Sequence, residues 1–188
     1  WAKYTNFTQD AGGYASVTAK NGSIYAAQAS PTEGYSGNGY FQLNFVADYF
    51  FSNILTTHST YKQGRAEGLL TSYDFRILGN RTTPLYPLTA YQIGEIAVAV
   101  LPNAPIDSET GLPKVTLGLA GGKPGGGQTH GLSVIRDDGN VFELTASTGA
   151  GGYAGSAVAF NSLGHLVYDQ SYSGGYPNFY VRKNIPKT

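Results

Sequence analysis

The segment Val17–Ala26, VTAKNGSIYA, decides the fold class, because it places an Asn-Gly pair between two short stretches of alternating side chains. Asn-Gly in this setting is the strongest short-range signal of a β-hairpin, since both residues tolerate the positive φ angles of a tight turn. We therefore predict a hairpin with strands at Tyr14–Ala19 and Ile24–Gln28.

The same arrangement recurs twice near the end of the chain. LSVIRDDGNVFEL covers residues 132–144, and SAVAFNSLGHLVYD covers residues 156–169. The pentapeptide AGGYA precedes the first hairpin at Ala11–Ala15 and the last one at Ala150–Ala154. Each copy predicts one hairpin, so the repeat favours a meander or barrel made of hairpins.

The remaining sequence extends this pattern. Gly or Pro interrupts most windows that are long enough for an amphipathic helix, so we predict an all-β fold, an antiparallel β-sandwich or barrel built from hairpins. Asp48–Leu55 fits a short helical turn and a strand equally well. Asn38-Gly39 and Gly79-Asn80 predict further turns, and the three prolines of Pro102–Pro113 predict a loop. Further strands are predicted at Tyr40–Ala47, Gly68–Leu78, Ile93–Leu101, Val115–Leu119, Leu132–Ile135, Val141–Thr145, Ala157–Phe160, Leu166–Asp169 and Phe179–Arg182.

The run GGKPGGG at residues 121–127 is the best candidate boundary in the chain. It predicts a connector between a main β domain, residues 1–120, and a hairpin extension, residues 128–188. The alternative is that both parts belong to one single domain, because 188 residues are few for two.

Composition excludes several classes of function. Only 13% of the residues are charged, and 12 Lys and Arg balance 12 Asp and Glu, so no net field favours nucleic acid. No apolar run approaches the ~20 residues of a membrane helix, so membrane insertion is not expected. The chain has no Cys, and its His and acidic residues do not follow a metal-ligand spacing, so we predict no cofactor and no metal.

Aromatic residues suggest what the protein binds. The chain has 15 Tyr and 9 Phe, and several tyrosines lie beside glycines at predicted loop tips. An aromatic ring that stacks on a sugar, flanked by Asn, Gln or Ser, suits an uncharged glycan. The alternative is that these rings pack in the core or on a trimer axis. The candidate ligand-binding residues are Tyr35, Asn38, Tyr40, Tyr153, Tyr172 and Tyr176.

The hypothesis of an enzymatic function depends on three acidic residues. Glu67, Asp74 and Glu95 lie in or beside predicted strands, where two carboxylates facing each other across a cleft would suit a polysaccharide hydrolase. The alternative is that they are solvent-facing charges on strand surfaces. No nucleophile motif accompanies His58, His130 or His165, so a catalytic triad is not predicted.

Two resemblances bear on function. EGYSGNGYFQLNF, residues 33–45, resembles the GYSGTGY-type segment of some carbohydrate-binding β-sandwich modules, which implies a secreted binding module and draws attention to Tyr35 and Tyr40. The Gly- and Tyr-rich hairpins over roughly residues 10–28 and 128–182 resemble the receptor-binding regions of bacteriophage tail fibres and tailspikes. That resemblance implies an extracellular homotrimer on a virion surface that attaches to a glycan or receptor of the host cell.

Overall fold

A computed structural model describes residues 14–28, 38–57, 60–67, 78–81, 93–121, 131–144, 157–170, 178–183 and 185. Within these ranges the regular structure consists of β-strands, and no helix occurs. The strands are β1 (Tyr14–Lys20), β2 (Ser23–Gln28), β3 (Asn38–Asn44), β4 (Tyr49–Thr57), β5 (Thr60–Glu67), β6 (Leu78–Arg81), β7 (Ile93–Ala99), β8 (Thr116–Gly121), β9 (Leu132–Ile135), β10 (Val141–Glu143), β11 (Val158–Phe160), β12 (Leu166–Gln170) and β13 (Asn178–Arg182).

The strands form three antiparallel sheets. The first sheet holds β1 to β6 in chain order, the central sheet holds β7 to β10, and the third sheet holds β11 to β13. Within every sheet, strands that are adjacent in sequence are also hydrogen-bonded neighbours, so each sheet is a meander. The predicted all-β class with hairpin connections is therefore confirmed.

The three repeated segments form the three predicted hairpins. Asn21 and Gly22 join β1 to β2 with φ angles of 48° and 70°, as a type I′ turn requires. Gly139 has a φ of 87° in the turn between β9 and β10, and Gly164 has a φ of 75° between β11 and β12. Most side chains are strained at such φ angles, which is why Gly occupies positions 22, 139 and 164, while Asn21 is one of the few other residue types that tolerate them.

Two predicted turns are wrong. Asn38 and Gly39 lie inside β3, where Gly39 pairs with Gln28 on one side and with Ile54 on the other. Gly79 and Asn80 belong to β6, which pairs with β5. Ladder hydrogen bonds to neighbouring strands outweigh the local turn preference of these pairs. Sequence spacing alone does not reveal those neighbours.

Other differences concern the first sheet. The segment that fitted either a helical turn or a strand is the strand β4, with Asp48 in the preceding turn at a φ of 50°. β5 was not predicted, because Lys62, Gln63 and Arg65 interrupt the apolar pattern. Most of the strand predicted at Gly68–Leu78 falls on residues 68–77, which lie outside the described residues.

The central sheet is buried on both faces, which explains its apolar sequence. All six residues of β8 are buried, and successive side chains point to opposite sides. Leu117 and Leu119 pack with Tyr25 and Tyr40 of the first sheet. On the other face, Ala120 packs with residues of β9, β11 and β12, including the fully buried Leu166. One hydrophobic core therefore lies on each side of this sheet.

The candidate domain connector links two adjacent strands of the central sheet. β8 ends at Gly121 and pairs with β9, which begins at Leu132 on the other side of the glycine-rich run. The central sheet thus takes strands from both of the proposed segments. Residues 122–127 themselves lie outside the described residues.

Candidate functional site

A cavity of about 360 Å³ opens beside the first hydrophobic core. Strands β2, β3 and β4 form one wall, and the loop that leads into β8 and the turn between β9 and β10 form the other. Its lining residues are Asn21, Ser23, Tyr25, Tyr40, Gln42, Asn44, Tyr49, Phe51, Asp107, Thr110, Pro113, Lys114, Val115, Leu117, Ile135, Arg136, Asp137, Asp138 and Gly139. This volume lies within the range of about 300–1,000 Å³ that is typical of small-ligand pockets.

The alternation of side chains along the strands determines which residues form the polar wall of the cavity. Tyr40, Gln42 and Asn44 occupy every second position of β3, so their side chains share one face of the sheet. The register sets Tyr25 of β2 opposite Gln42, and Phe51 of β4 opposite it on the other side. Three neighbouring strands therefore direct aromatic and amide side chains to the same region.

The opposite wall is fastened to the first sheet by a contact across 92 residues of sequence. Asn21 Nδ2 donates a hydrogen bond of 2.6 Å to the carbonyl oxygen of Pro113. Within the loop, Ile106 and Pro113 form an isolated β-bridge, and Asp107 Oδ1 accepts from the backbone of Glu109 at 2.8 Å. These bonds hold an otherwise irregular segment, correctly predicted as a loop, in one position beside the cavity.

Gln42 is the centre of a hydrogen-bond network in the wall. Its Nε2 lies 2.8 Å from the Tyr49 hydroxyl oxygen, 3.1 Å from Ser23 Oγ and 3.2 Å from the Tyr25 hydroxyl oxygen. Tyr40 packs beside this network with its ring centroid 5.9 Å from that of Phe51, at an interplanar angle of 45°. Hydroxyls held by a shared donor present a pre-organised polar surface between aromatic rings.

Charged groups meet at the turn between β9 and β10. Arg136 and Asp137 are both 7% exposed, and Arg136 Nη2 lies 3.4 Å from Asp137 Oδ1. Arg136 Nη1 lies 3.6 Å from Asp138 Oδ2. Hydrogen bonding from the Asn140 backbone and the nearby Arg136 guanidinium keep the pKa of Asp138 below its usual value. The turn therefore contributes one guanidinium and two carboxylates to the cavity.

Burial changes the acidity of the Tyr25 hydroxyl. Tyr25 is 2% exposed, and desolvation raises its pKa from 10.0 to about 12. The phenol therefore keeps its proton to a higher pH than a solvent-exposed tyrosine does.

This raised pKa predicts a loss of stability in alkali. Between pH 10 and 12 the unfolded chain releases the Tyr25 proton while the folded chain retains it, so the free energy of unfolding falls with rising pH. At pH 11 the raised pKa of Tyr25 is expected to have lowered the free energy of unfolding by roughly 1.4 kcal/mol. Urea denaturation at pH 9 and pH 11 measures it. Tyr25→Phe should lose less stability across this interval than the wild type. Equal losses in the two proteins would contradict the assignment.

The structure brings one predicted ligand-binding residue into the cavity. Tyr40 lines it and is 6% exposed, so its ring belongs to the core wall and not to a loop tip. Asn38 begins β3, and its side chain is not among those described. The other four candidates lie outside the described residues, and their predictions stay predictions; they are Tyr35, Tyr153, Tyr172 and Tyr176.

The predicted acidic residues are not brought together among the described side chains. Glu95 Oε2 accepts a hydrogen bond of 2.9 Å from the backbone N–H of Val158, which fixes the start of β11 against β7. Glu67 ends β5 with its side chain outside the described set, and Asp74 lies outside the described residues. Glu95 thus has a structural role that its sequence position did not indicate.

Removing the Glu95 carboxylate is expected to destabilise the fold. Glu95→Ala leaves the buried Val158 N–H without its acceptor, which costs about 1–3 kcal/mol. Glu95→Gln retains an oxygen at the same position and should lose less than half as much. Chemical denaturation of both variants measures the difference. If Glu95→Ala is as stable as the wild type, the hydrogen bond does not hold the third sheet in place.

Most of the cavity residues were not predicted. Ser23 and Tyr25 share one face of the predicted hairpin, so their common orientation was readable from the alternation in Val17–Ala26. The place of Gln42 in the cavity wall was not predicted. The turn predicted at Asn38-Gly39 excluded the pairing between the strand that contains Gln42 and β2. Arg136 and Asp137 were interpreted as parts of a turn alone.

Comparison of the chain with protein-family models, with curated proteins and with solved structures finds no match. Among the described residues, no group of three or more His, Cys, Asp or Glu side chains is arranged to hold a metal ion. The same residues include no helix with the length and apolar character needed to cross a bilayer.

Proposed function

We propose that the protein binds a neutral glycan of a cell surface without changing it chemically, and that the cavity beside Gln42 is the binding site. One observation carries this proposal: three tyrosines and an amide network line a cavity of about 360 Å³. Aromatic rings provide flat apolar surfaces for a sugar ring, and the fixed amide and hydroxyl groups can bond its hydroxyls.

The chemistry of the described residues supports binding over hydrolysis. Hydrolysis of a glycosidic bond needs two carboxyl groups on either side of the scissile bond. Glu95 accepts a backbone hydrogen bond instead. Of the three cavity acids, Asp107 accepts from the Glu109 backbone, and Asp137 and Asp138 contact Arg136. The hydrolase alternative is therefore an outcome of the test and not a second proposal.

The test is a glycan array followed by calorimetry on the positive glycans. We expect binding of uncharged saccharides, with no release of reducing ends during prolonged incubation. Release of reducing ends that Glu67→Gln, Asp74→Gln or Glu95→Gln abolishes would establish the hydrolase. An array without any positive glycan would contradict the proposal and leave a structural role.

The resemblance to tail fibres adds a proposed context, which is attachment of a virion to its host through an extracellular homotrimer. Among the described strands, β13 forms an edge of the third sheet, and Phe179, Tyr180 and Val181 are 75%, 41% and 60% exposed. Open edges with exposed apolar residues favour association with another strand. These exposed side chains support association between copies of the chain.

Changing this edge tests the association. Phe179→Lys combined with Val181→Lys is expected to shift an oligomer towards the monomer, because edge lysines oppose strand pairing. Leu163→Lys, in the turn between β11 and β12 and 67% exposed in the wild type, serves as the control and should change nothing. Sedimentation velocity measures the distribution. A trimer supports the fibre context, and a monomeric wild type at all concentrations contradicts it while leaving glycan binding untouched.

A further inference from the structure

We propose that the cavity recognises an acetylated sugar, such as an N-acetylhexosamine, through the carbonyl and methyl of its acetyl group. This inference rests on the proposed function and names the class of glycan. Three properties of the lining support this inference. They are a hydrogen-bond donor, an apolar patch beside that donor, and a net negative charge that disfavours anions.

The donor is the Tyr25 hydroxyl. Its oxygen lies 3.2 Å from Gln42 Nε2, an amide nitrogen that can only donate a hydrogen bond. The Tyr25 hydroxyl therefore accepts from this amide and directs its own proton to another group. Because Tyr25 lines the cavity, that proton is available to an acceptor on a bound ligand.

The apolar patch lies in the same cavity. Val115, Leu117, Ile135 and Phe51 line it and also belong to, or pack against, the hydrophobic core that contains Tyr25. A sugar that carries only hydroxyl groups would leave this patch in contact with polar groups, which costs free energy. A methyl group on the ligand would cover the patch and remove apolar surface from water, which favours binding.

The charge of the cavity lining determines which kind of hydrogen-bond acceptor on a ligand suits the site. The lining carries three carboxylates, Asp107, Asp137 and Asp138, against two cations, Lys114 and Arg136. Arg136 already contacts two of these carboxylates, at 3.4 Å and 3.6 Å. A ligand carboxylate or sulfate would add negative charge to a lining that is negative in sum. The acceptor that suits the site is therefore neutral.

A neutral carbonyl oxygen with a methyl group beside it is an acetyl group. Glycans carry acetyl groups as amides on nitrogen and as esters on oxygen, and both forms offer the same acceptor and methyl. The Tyr25 hydroxyl would donate to the carbonyl oxygen, while the patch around Leu117 would receive the methyl. Neither glucose nor glucosamine supplies this combination.

Calorimetry with four sugars tests the inference: N-acetylglucosamine, 6-O-acetylglucose, glucose and glucosamine. We expect at least one acetylated sugar to bind about tenfold or more tightly than glucose, and the two acetylated sugars distinguish amide from ester recognition. Tyr25→Phe should weaken binding of the acetylated sugar about tenfold more than it weakens binding of glucose. Val115→Thr, which makes the patch polar, should likewise weaken binding of the acetylated sugar more than binding of glucose. Tyr168→Phe, far from the cavity, is the matched control for the loss of a tyrosine hydroxyl.

The outcomes separate the two proposals. If glycans bind but acetylated sugars gain nothing over glucose, or if Tyr25→Phe weakens all sugars equally, acetyl recognition is wrong and glycan binding stands. If the array shows binding only to glycans without acetyl groups, the same conclusion follows. If no glycan binds, both proposals are overturned.

Discussion

Gln42→Leu is expected to remove most of the glycan binding while leaving the protein folded. The amide is the common partner of the Ser23, Tyr25 and Tyr49 hydroxyls, at distances of 2.8–3.2 Å. Leu has a similar size but offers no donor, so the three hydroxyls lose the group that orients them. Loss of one to two such bonds costs about 1–3 kcal/mol, which corresponds to roughly a 5- to 150-fold weaker Kd.

Two measurements accompany this variant. Thermal denaturation shows whether the fold persists, since Gln42 is only partly buried and its replacement by an apolar residue is compatible with the cavity wall. Phe51→Leu reduces the aromatic wall without touching the amide and should weaken binding less than Gln42→Leu. A folded Gln42→Leu protein that binds glycan as tightly as the wild type would show that the network does not form the site.

Gly118→Val is expected to be the most destabilising single change in the central sheet. A Cβ at position 118 would lie 2.8 Å from Val158 Cγ2 and 3.3 Å from Leu166 Cδ1. Those side chains are buried on the third sheet, and the short, stiff Val158 cannot move aside without displacing its strand. Overpacking of this kind costs about 1–3 kcal/mol and occasionally more, which is a large fraction of the roughly 5–15 kcal/mol that keeps a domain folded.

The same chain supplies a matched control for this effect. A Cβ at Gly94, on the neighbouring strand β7, would meet the Ala120 carbonyl oxygen at 3.9 Å, an ordinary contact distance. Gly118→Ala should therefore lower the midpoint of urea denaturation, and Gly94→Ala should change it little. If the two alanine variants are equally stable, the central and third sheets do not pack as closely as the structure indicates.

Local sequence signals were sufficient for the hairpins and insufficient for the cavity. The turns at Asn21-Gly22, Asp138-Gly139 and Gly164 each require a positive φ, a property that the residue itself encodes. Gly39 shows the limit of this reasoning, because pairing with strands on both sides overrides its turn preference. Pairing partners depend on the rest of the chain and are not written in a two-residue signal.

The site depends on contacts that are distant in sequence. The bond from Asn21 to the Pro113 carbonyl joins a turn to a loop, and no periodic pattern relates the two segments. Aromatic richness drew attention to tyrosines, of which Tyr40 lines the cavity. The partners of Tyr40 follow from strand register, which determines that β2, β3 and β4 direct their polar side chains to one place.

Nuclear magnetic resonance of the tyrosine rings tests the central claim most directly. The chain has 15 tyrosines, and labelled ring signals can be assigned by Tyr→Phe substitution and followed while a glycan from the array is added. If the cavity binds the glycan, the signals of Tyr25, Tyr40 and Tyr49 will shift together and saturate with one Kd. If saturating glycan leaves these three unchanged and shifts only tyrosines elsewhere, the cavity is not the binding site.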